Sequence, residues 1–426
     1  MSDTLSLPHW LSDLKQSNHL VHIHTVGCTY NHGDSDKLRE ILAAHQIPVT
    51  TTKSDATAVI INTCIVIAKT EREMLKLFKE TTEQEKALFI TGCMPAVQRE
   101  EILEICSPTF IEPDEIRSLH THIEPISSRQ TVAIVQIAHG CLGTCRYCLT
   151  RYARGPLVSV PVEQICHEVA LAVSSGAVEI QLTAQDVSAY GMDRTNHSEL
   201  ASLLHALTEI PGDFRVRVGM MNPKTLYPVA REVAAAFEHE KIFSFIHIPV
   251  QAGTDHLLAA MDRGYTVSIF LEIIDIFKKA IPDLLIGTDV IIGFPGECDD
   301  DIDALLSLIQ TIKPYRLNVT RYSKRKGTPA YQEYDMPDRF KKDRSRKIIT
   351  AFHALRSECN QMLIGKKFEV FITEQKEKGG VMARTNAYHA IVLPSPGFLS
   401  CGDRETVEIT GEKVHYLLGN PLNVER

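Results

Sequence analysis

The chain has 426 residues, 44% of them hydrophobic and 23% charged, with a formal net charge of −8. That length favours two or three domains over one, and the composition is that of an ordinary soluble globular protein. No run of 18 apolar residues offers a membrane span, and the net negative charge excludes indiscriminate nucleic-acid binding over the whole surface, leaving only a local basic face. The first twenty residues carry acidic side chains and lack an apolar core, so no signal peptide is read and a cytoplasmic setting is expected. There the eleven cysteines stay reduced, and clustered ones are metal ligands sooner than disulfides.

Residues 21–26 (VHIHTV) read as a strand, followed by a helix that Asp34 caps, with Leu38, Ile41, Leu42 and His45 on one face. A strand at 56–61, a helix around 71–79, a strand at 88–90 and a helix from Val97 continue the alternation. This pattern implies a small parallel sheet with helices on both faces. Cys28, Cys64 and Cys93 each fall just past one of the strands, at the edge where an open α/β sheet gathers ligands. Three unrelated buried thiols are the plainer alternative. Their succession, with Gly27 and Gly92 preceding two of them, favours one three-thiolate site.

A second domain is expected from about Thr131. Its strands fall at 133–138, 178–183, 214–219, 243–250, 284–292 and 317–322. Helices are expected at 162–174, 199–209, 226–237, from Asp255, from Ser268 and at 302–312. Six strand–helix units imply an open, partial (β/α)6 barrel with its active site at the carboxyl ends of the strands. The first strand leads into GCLGTCRYC (140–148), which sets Cys141, Cys145 and Cys148 in a C-x3-C-x2-C array beside Tyr147. Three thiolates so close hold three corners of a cubane iron–sulfur cluster and leave the fourth iron open to chemistry. A structural zinc site completed by His139 is the alternative, because zinc takes four closed ligands.

Several loops at the expected carboxyl ends are polar. They carry Gln185 and Asp186, then Arg215 and Arg217, then His247 and Gln251, and finally Asp289 ahead of a turn with Gly293 and Gly296. Arg154, just past the cysteine array, suits either a surface ion pair or a site role. Residues 313–347 hold twelve Lys/Arg against four Asp/Glu, a basic face that also suits a merely solvated helix. Within it a helix over 338–364 begins after Pro337 with Arg339, Lys341, Lys342, Arg344, Arg346 and Lys347. Ile348, Ile349, Phe352, Leu355 and Cys359 form its apolar side. From Gly365 the period becomes two: Phe368, Val370 and Ile372 alternate, Gly379–Gly380 turns, and strands follow at 390–393, 405–409 and 413–417. Short strands of this kind imply a small OB-type barrel. Its charges balance at eight basic and eight acidic, so the preceding helix is the better source of phosphate contacts. Cys106, Cys166, Cys298, Cys359 and Cys401 belong to no motif.

The C-x3-C-x2-C spacing is similar to that of radical S-adenosylmethionine (SAM) enzymes. GCTYNHGDSD, NTC and GCMPAVQ resemble the cysteine motifs of the methylthiotransferase N-terminal domain. GCLGTCRYCLTRYARG, AQDVSAYGMD and VGMMNP resemble the archaeal and eukaryotic branch of that family, which acts on N6-threonylcarbamoyladenosine at position 37 of tRNA. The likeness extends from Val21 to Pro421. It implies an α/β chain in four parts: a flavodoxin-like N-terminal domain (20–125), a radical SAM barrel (131–337), a basic linker helix (338–363) and a TRAM domain, an RNA-binding OB-like β-barrel (364–426). It implies two [4Fe–4S] clusters, an auxiliary one on Cys28, Cys64 and Cys93 and a radical-generating one on Cys141, Cys145 and Cys148. SAM would lie near Tyr147, Gln185, Asp186, Gln251 and Asp289, with Arg215 or Arg217 meeting its carboxylate as a fork. Arg154, Lys341, Lys342 and Arg344 would face the RNA.

In the implied reaction one SAM methylates a sulfur at the auxiliary cluster. A second is reductively cleaved, and the 5′-deoxyadenosyl radical opens C2 of the adenine to methylthio transfer. The implied partners are a tRNA anticodon stem-loop, an electron donor such as flavodoxin or ferredoxin, and a sulfur donor, with no membrane. A single-stranded anticodon loop suits such an enzyme because its bases can be splayed out and stacked. Alternatives are the same chemistry on isopentenyladenosine-37 or on a ribosomal-protein aspartate, a radical SAM methylase that inserts no sulfur, and a non-catalytic iron–sulfur or zinc RNA-binding protein.

Overall fold

The computed structural model describes residues 7–121, 123, 131–376, 379–394 and 399–422. The expected domain limits at 125 and 426 lie outside the described residues. By contacts the chain forms two compact units. The first comprises Met1–Ser127, Cys148–Pro156 and Arg325–Thr328; the second comprises Ser128–Tyr147, Leu157–Lys324 and Pro329–Arg426.

The first unit is built on a parallel sheet of β1 (Val21–Thr25), β2 (Ala58–Thr63), β3 (Ala87–Gly92) and β4 (Thr109–Phe110), in that spatial order. β2 is buried along its whole length, and its side chains alternate between two cores. Ala58 and Ile60 join Trp10, Leu38, Ile41 and Ile116 on one face. Val59 and Ile61 join Met74, Phe78 and Ile102 on the other. The strands are in register at their carboxyl ends, Thr25 opposite Asn62 and Asn62 opposite Thr91, so three successive connections leave the sheet at one edge. The helix after β1 runs Thr29–Ala44, with Cys28 as N-cap and Asp34 buried inside it. Expecting Asp34 as the cap was wrong because Asn31, Gly33, Asp34 and Ser35 break the apolar period while still packing inward. β4 and the helices His9–Gln16 and Pro113–His120 were not foreseen; a two-residue strand carries no period to read.

The second unit holds six parallel strands. β5 (Val132–Gln136), β8 (Glu179–Thr183) and β9 (Arg215–Arg217) form one sheet; β10 (Phe245–His247), β11 (Leu285–Ile292) and β12 (Arg316–Arg321) form the other. Bridges Val216–Ile242 and Met220–His247 join the two into one curved wall, the expected partial barrel. A short ribbon of β6 (Ala138–His139) and β7 (Val158–Ser159) flanks it. Ile180, Leu182, Val216, Ile246, Ile286 and Val290 pack with Ile165, Val169, Leu203, Phe277 and Leu305 of the surrounding helices. The helix expected at 226–237 is divided, Pro223–Leu226 and Ala230–Ala236, because Pro228 removes a helical donor.

After the barrel a helix spans Asp338–Gln361, burying Ile348, Phe352 and Leu355. Ile349, expected on that face, is 37% exposed. The chain ends in a closed five-stranded barrel of order β13 (Lys367–Gln375), β14 (Val381–Arg384), β15 (Ala390–Leu393), β17 (Tyr416–Pro421) and β16 (Arg404–Lys413). β14 was not foreseen. This small barrel packs on the amino ends of the larger one. Tyr388 lies against Phe243 and Phe245 and donates to Glu179 Oε1 at 2.7 Å, while Ser244 N donates to Asn386 O. The amino ends are thereby covered, leaving chemistry to the carboxyl ends. Among the described residues no helix is long and apolar enough to cross a membrane.

Candidate functional site

Within the first unit the three thiols leave the same sheet edge. Gly27 and Gly92, at φ 127° and 92°, turn the chain sharply into Cys28 and Cys93. A Cβ on Gly27 would lie 2.9 Å from Cys64 Cβ, which shows how closely the first two connections pass. A buried polar lattice underlies the edge. Asn31 Nδ2 donates to Val26 O (2.9 Å) and Thr63 O (2.8 Å), and Asn62 Nδ2 donates to Asn31 O (2.7 Å). Thr63 Oγ1 donates to Thr91 O at 2.6 Å. Burial pushes the Cys93 thiol up to about 11, opposed by Arg154 and reinforced by Cys28 and Cys64. Burial, with Cys28 adding to it, also raises Cys64. Two buried thiols raised in this way, with Cys28 beside them, need a bound cation to hold them as thiolates.

Arg154 supplies fixed positive charge at that edge. Its Nε donates to Cys93 Sγ (3.3 Å), Nη1 to Asp34 Oδ2 (2.8 Å) and Nη2 to Asn31 Oδ1 (2.8 Å), with the Tyr30 ring 4.6 Å from the guanidinium carbon. Its side chain is only 2% exposed. Burial alone would lower its pKa, yet Cys93, Asp34 and Tyr30 hold it above the ordinary arginine value. Neither a surface ion pair nor an RNA contact describes it.

In the second unit Cys141 and Cys145 both face Gly143, whose N donates to Cys141 Sγ at 3.2 Å. A Cβ at residue 143 would stand 3.2 Å from Cys141 Sγ and 3.7 Å from Cys145 Sγ. The sequence reading missed Arg263, which organises this loop. Its Nη1 donates to Cys145 Sγ (2.9 Å) and Tyr147 Oη (3.3 Å), its Nε to Tyr265 Oη (3.1 Å) and its Nη2 to Asn222 Oδ1 (3.4 Å). The one available signal was an arginine set between Met261 and Tyr265, both buried. Burial opposes its charge, but Tyr147, Tyr265 and Cys145 keep its pKa well above the ordinary value. Tyr147 also packs edge-on to Phe294 at 6.2 Å. Cys148 opens the short segment assigned to the first unit.

Asp186 is committed elsewhere. Oδ1 accepts from Ser188 N and Oγ and from Asn222 N, and Oδ2 from Thr225 Oγ1 at 2.6 Å. Burial raises its carboxyl pKa against those bonds. It therefore fixes the loop that presents Asn222 to Arg263, a structural duty in place of the expected cofactor contact. Gln185 keeps a buried Oε1 with no hydrogen-bond partner among the described residues. Gln251 sits at φ 70°, bridging to β11 through Asp289 O and Ile291 N. Asp289 accepts from His247 Nε2 (2.5 Å) and Asn318 Nδ2 (2.6 Å). Burial would raise its pKa, but those bonds and the His247 charge hold it below the usual carboxylate value. Among the described residues no three His, Cys, Asp or Glu side chains are gathered to hold a single metal ion.

Four expected contacts are corrected. Arg215 and Arg217 turn to the amino ends of the strands. Arg215 bonds Asn386 Oδ1 and lies over Phe371, and Arg217 lies over Phe245 and Tyr388. The strand is only three residues long and Arg215 begins it opposite Glu179, so neither guanidinium reaches the carboxyl end. Lys341 is buried and bonds Tyr322 O at 2.8 Å and Asp335. Its stem fills the space over Gly293, where φ is 81° and any Cβ would collide with Lys341 Cγ. Arg344 is paired with Glu297 and Asp299. Lys342 alone of these three is exposed.

Residues 135–309 match the model of the Radical SAM superfamily, and residues 20–110 match that of the Uncharacterized protein family UPF0004. A relative from Archaeoglobus fulgidus, described as "Probable threonylcarbamoyladenosine tRNA methylthiotransferase", is 36% identical over 423 residues, covering 94% of this chain and 98% of its own. The Danio rerio "Threonylcarbamoyladenosine tRNA methylthiotransferase" is 30% identical over 434 residues, covering 94% of this chain and 78% of its own. Among solved structures, the radical S-adenosylmethionine methyltransferase TsrM from Kitasatospora setae, with cobalamin and a [4Fe–4S] cluster bound, superposes with a TM-score of 0.54. That match is at 12% identity and covers 73% of this chain and 77% of that one, a likeness of fold. With relatives of this identity along nearly its whole length, the chain is an enzyme of the radical SAM superfamily and belongs to the threonylcarbamoyladenosine tRNA methylthiotransferase family.

Proposed function

We propose that the enzyme converts N6-threonylcarbamoyladenosine at position 37 of tRNA to its 2-methylthio derivative. The observation that carries this reading is the thiol edge of the first unit: three cysteines just past the carboxyl ends of successive parallel strands, with a buried arginine bonded to one sulfur. A radical enzyme that only generates a radical has no use for it. The donor set suits an auxiliary [4Fe–4S] cluster on Cys28, Cys64 and Cys93, and the C-x3-C-x2-C array suits a second on Cys141, Cys145 and Cys148. When bound, the clusters and SAM supply the one-electron chemistry that an unactivated aromatic C–H requires.

The remaining work falls to side chains. Arg263 orients Cys145 and Tyr147 as one unit, and Asp186 holds Asn222 against Arg263. Gln185 Oε1 is an acceptor left for the ammonium of SAM, with Gln251 just past β10 and Asp289 within β11 beside it. The closed amino ends of the barrel exclude water from behind. Lys342 is an exposed basic side chain of its helix, as is Arg339, and would attract a phosphate as a point charge. A cytoplasmic reductant and a sulfur donor complete the cycle.

Nucleoside mass spectrometry of tRNA from cells expressing the chain tests this. Methylthio-threonylcarbamoyladenosine is expected with the parent chain and is lost with Cys145→Ala and with Cys93→Ala. Product surviving Cys93→Ala would remove the auxiliary site from the reaction, and an isopentenyl product would move the substrate.

A further inference from the structure

The reading that Cys28, Cys64 and Cys93 hold a cluster leaves Arg154 unassigned, and its geometry exceeds what an ion pair needs. Asp34 alone would neutralise it through Nη1. Instead all three edges of the guanidinium are used: Asp34 on one, Asn31 on the second and the Cys93 sulfur on the third. The planar fork fixes those three directions together, which a lysine ammonium does not do. The Tyr30 ring closes one face. Asn31 Oδ1, which accepts from Nη2, also accepts from the Cys28 thiol at 3.9 Å. The guanidinium therefore touches one cysteine directly and a second through Asn31. Asp34 and Arg154 are each 2% exposed, so solvent screens none of this charge.

We propose that Arg154 is a positioning residue of the N-terminal cysteine site, holding Cys93 Sγ in ligating orientation and raising the reduction potential of the cluster bound there. Reduction adds one negative charge to the cluster. A fixed cation hydrogen-bonded to a ligating sulfur stabilises that charge, and outer-shell donors of this kind tune both affinity and potential. Asp34 opposes the effect by partly cancelling the cation.

The test uses the full chain carrying Cys141→Ala, Cys145→Ala and Cys148→Ala, reconstituted with iron and sulfide so that only the N-terminal site can load. Iron and sulfide are counted, and the one-electron reduction by dithionite is titrated by electron paramagnetic resonance. Arg154→Gln is expected to bind less iron and to shift the reduction equilibrium about tenfold toward the oxidised cluster, ~59 mV downward. Asp34→Asn is expected to shift it the other way, because the cation is left uncompensated. A purely structural Arg154 would give equal potentials in both variants, or shifts of the same sign, and either result overturns the proposal. If Arg154→Gln shows no folding transition, Asp34→Asn decides alone: an upward shift supports the proposal and an unchanged potential overturns it. A parent chain that binds no iron would instead sink the auxiliary-cluster reading beneath it.

Discussion

Arg154 and Arg263 hold the same relation to different cysteines, each a buried guanidinium donating to one sulfur, at 3.3 Å on Cys93 and 2.9 Å on Cys145. For Arg263 the neighbours are hydroxyls and an amide, with no carboxylate among its bonded partners. Its positive charge would thus be available to the cluster and cofactor proposed for this site. Arg263→Lys keeps the charge but loses the fork across Cys145, Tyr147 and Asn222. Iron retention and 5′-deoxyadenosine formation are expected to fall roughly 10–100-fold, the usual cost of an outer-shell partner. Loss of 5′-deoxyadenosine with unchanged iron would place Arg263 on SAM alone. Asp186 illustrates the converse: a carboxylate at a strand end looks like a ligand, yet four donors already occupy it.

At the scale of elements, the helix Asp338–Gln361 and the small barrel divide the expected RNA-binding duties differently from the sequence pattern. Basic residues repeat along the helix, but Lys341 and Arg344 are used for internal bonds, because Gly293 and Glu297 lie directly beneath them. In the turn between β14 and β15 His389 is buried between Tyr315 and Phe368, with its Nδ1 3.1 Å from Thr385 Oγ1. Burial, and secondarily Arg356, lowers its pKa from 6.5 to about 4. The neutral ring is the folded form, so its contribution is complete above pH 6.5 and is lost as pH falls toward 4. The loss is on the order of 3 kcal/mol. Thermal unfolding of the parent chain should drop steeply across that window, and His389→Gln should flatten the pH slope. An equal slope in both would assign acid sensitivity to other groups.

For the second unit as a whole, the carboxyl-terminal barrel acts as a stopper for the larger one. Tyr388 carries much of that contact, touching Phe243, Phe245, Arg217 and Glu179. Tyr388→Ala removes a buried ring and leaves Glu179 Oε1 with Gln181 Nε2 as its remaining side-chain donor, a loss of about 3–5 kcal/mol dominated by the ring. Limited proteolysis is expected to release the carboxyl-terminal barrel in this variant and not in the parent. Resistance equal to the parent would show the docking to be held instead by Arg215 on Asn386, Arg404 on Asp213 and Thr131 on Thr373.

The sequence by itself determined the strand–helix alternation, the cysteine spacing and the alternating carboxyl-terminal strands. Those signals are local, written in hydrophobic period and in ligand intervals. Leu285–Ile292 and Val162–Ser174 were legible within a residue because apolar residues mark both ends of the strand and recur at helical spacing along the helix. What only tertiary structure decided was where long polar side chains go. Arg154, Arg215, Arg217, Arg263 and Lys341 each have reach enough for several partners, and burial selects among them. A buried guanidinium must find acceptors, and those acceptors stand more than a hundred residues away in sequence for Arg154 with Asp34 and Arg263 with Cys145. No local pattern encodes that distance, so the positioning arginines came into view only with the fold.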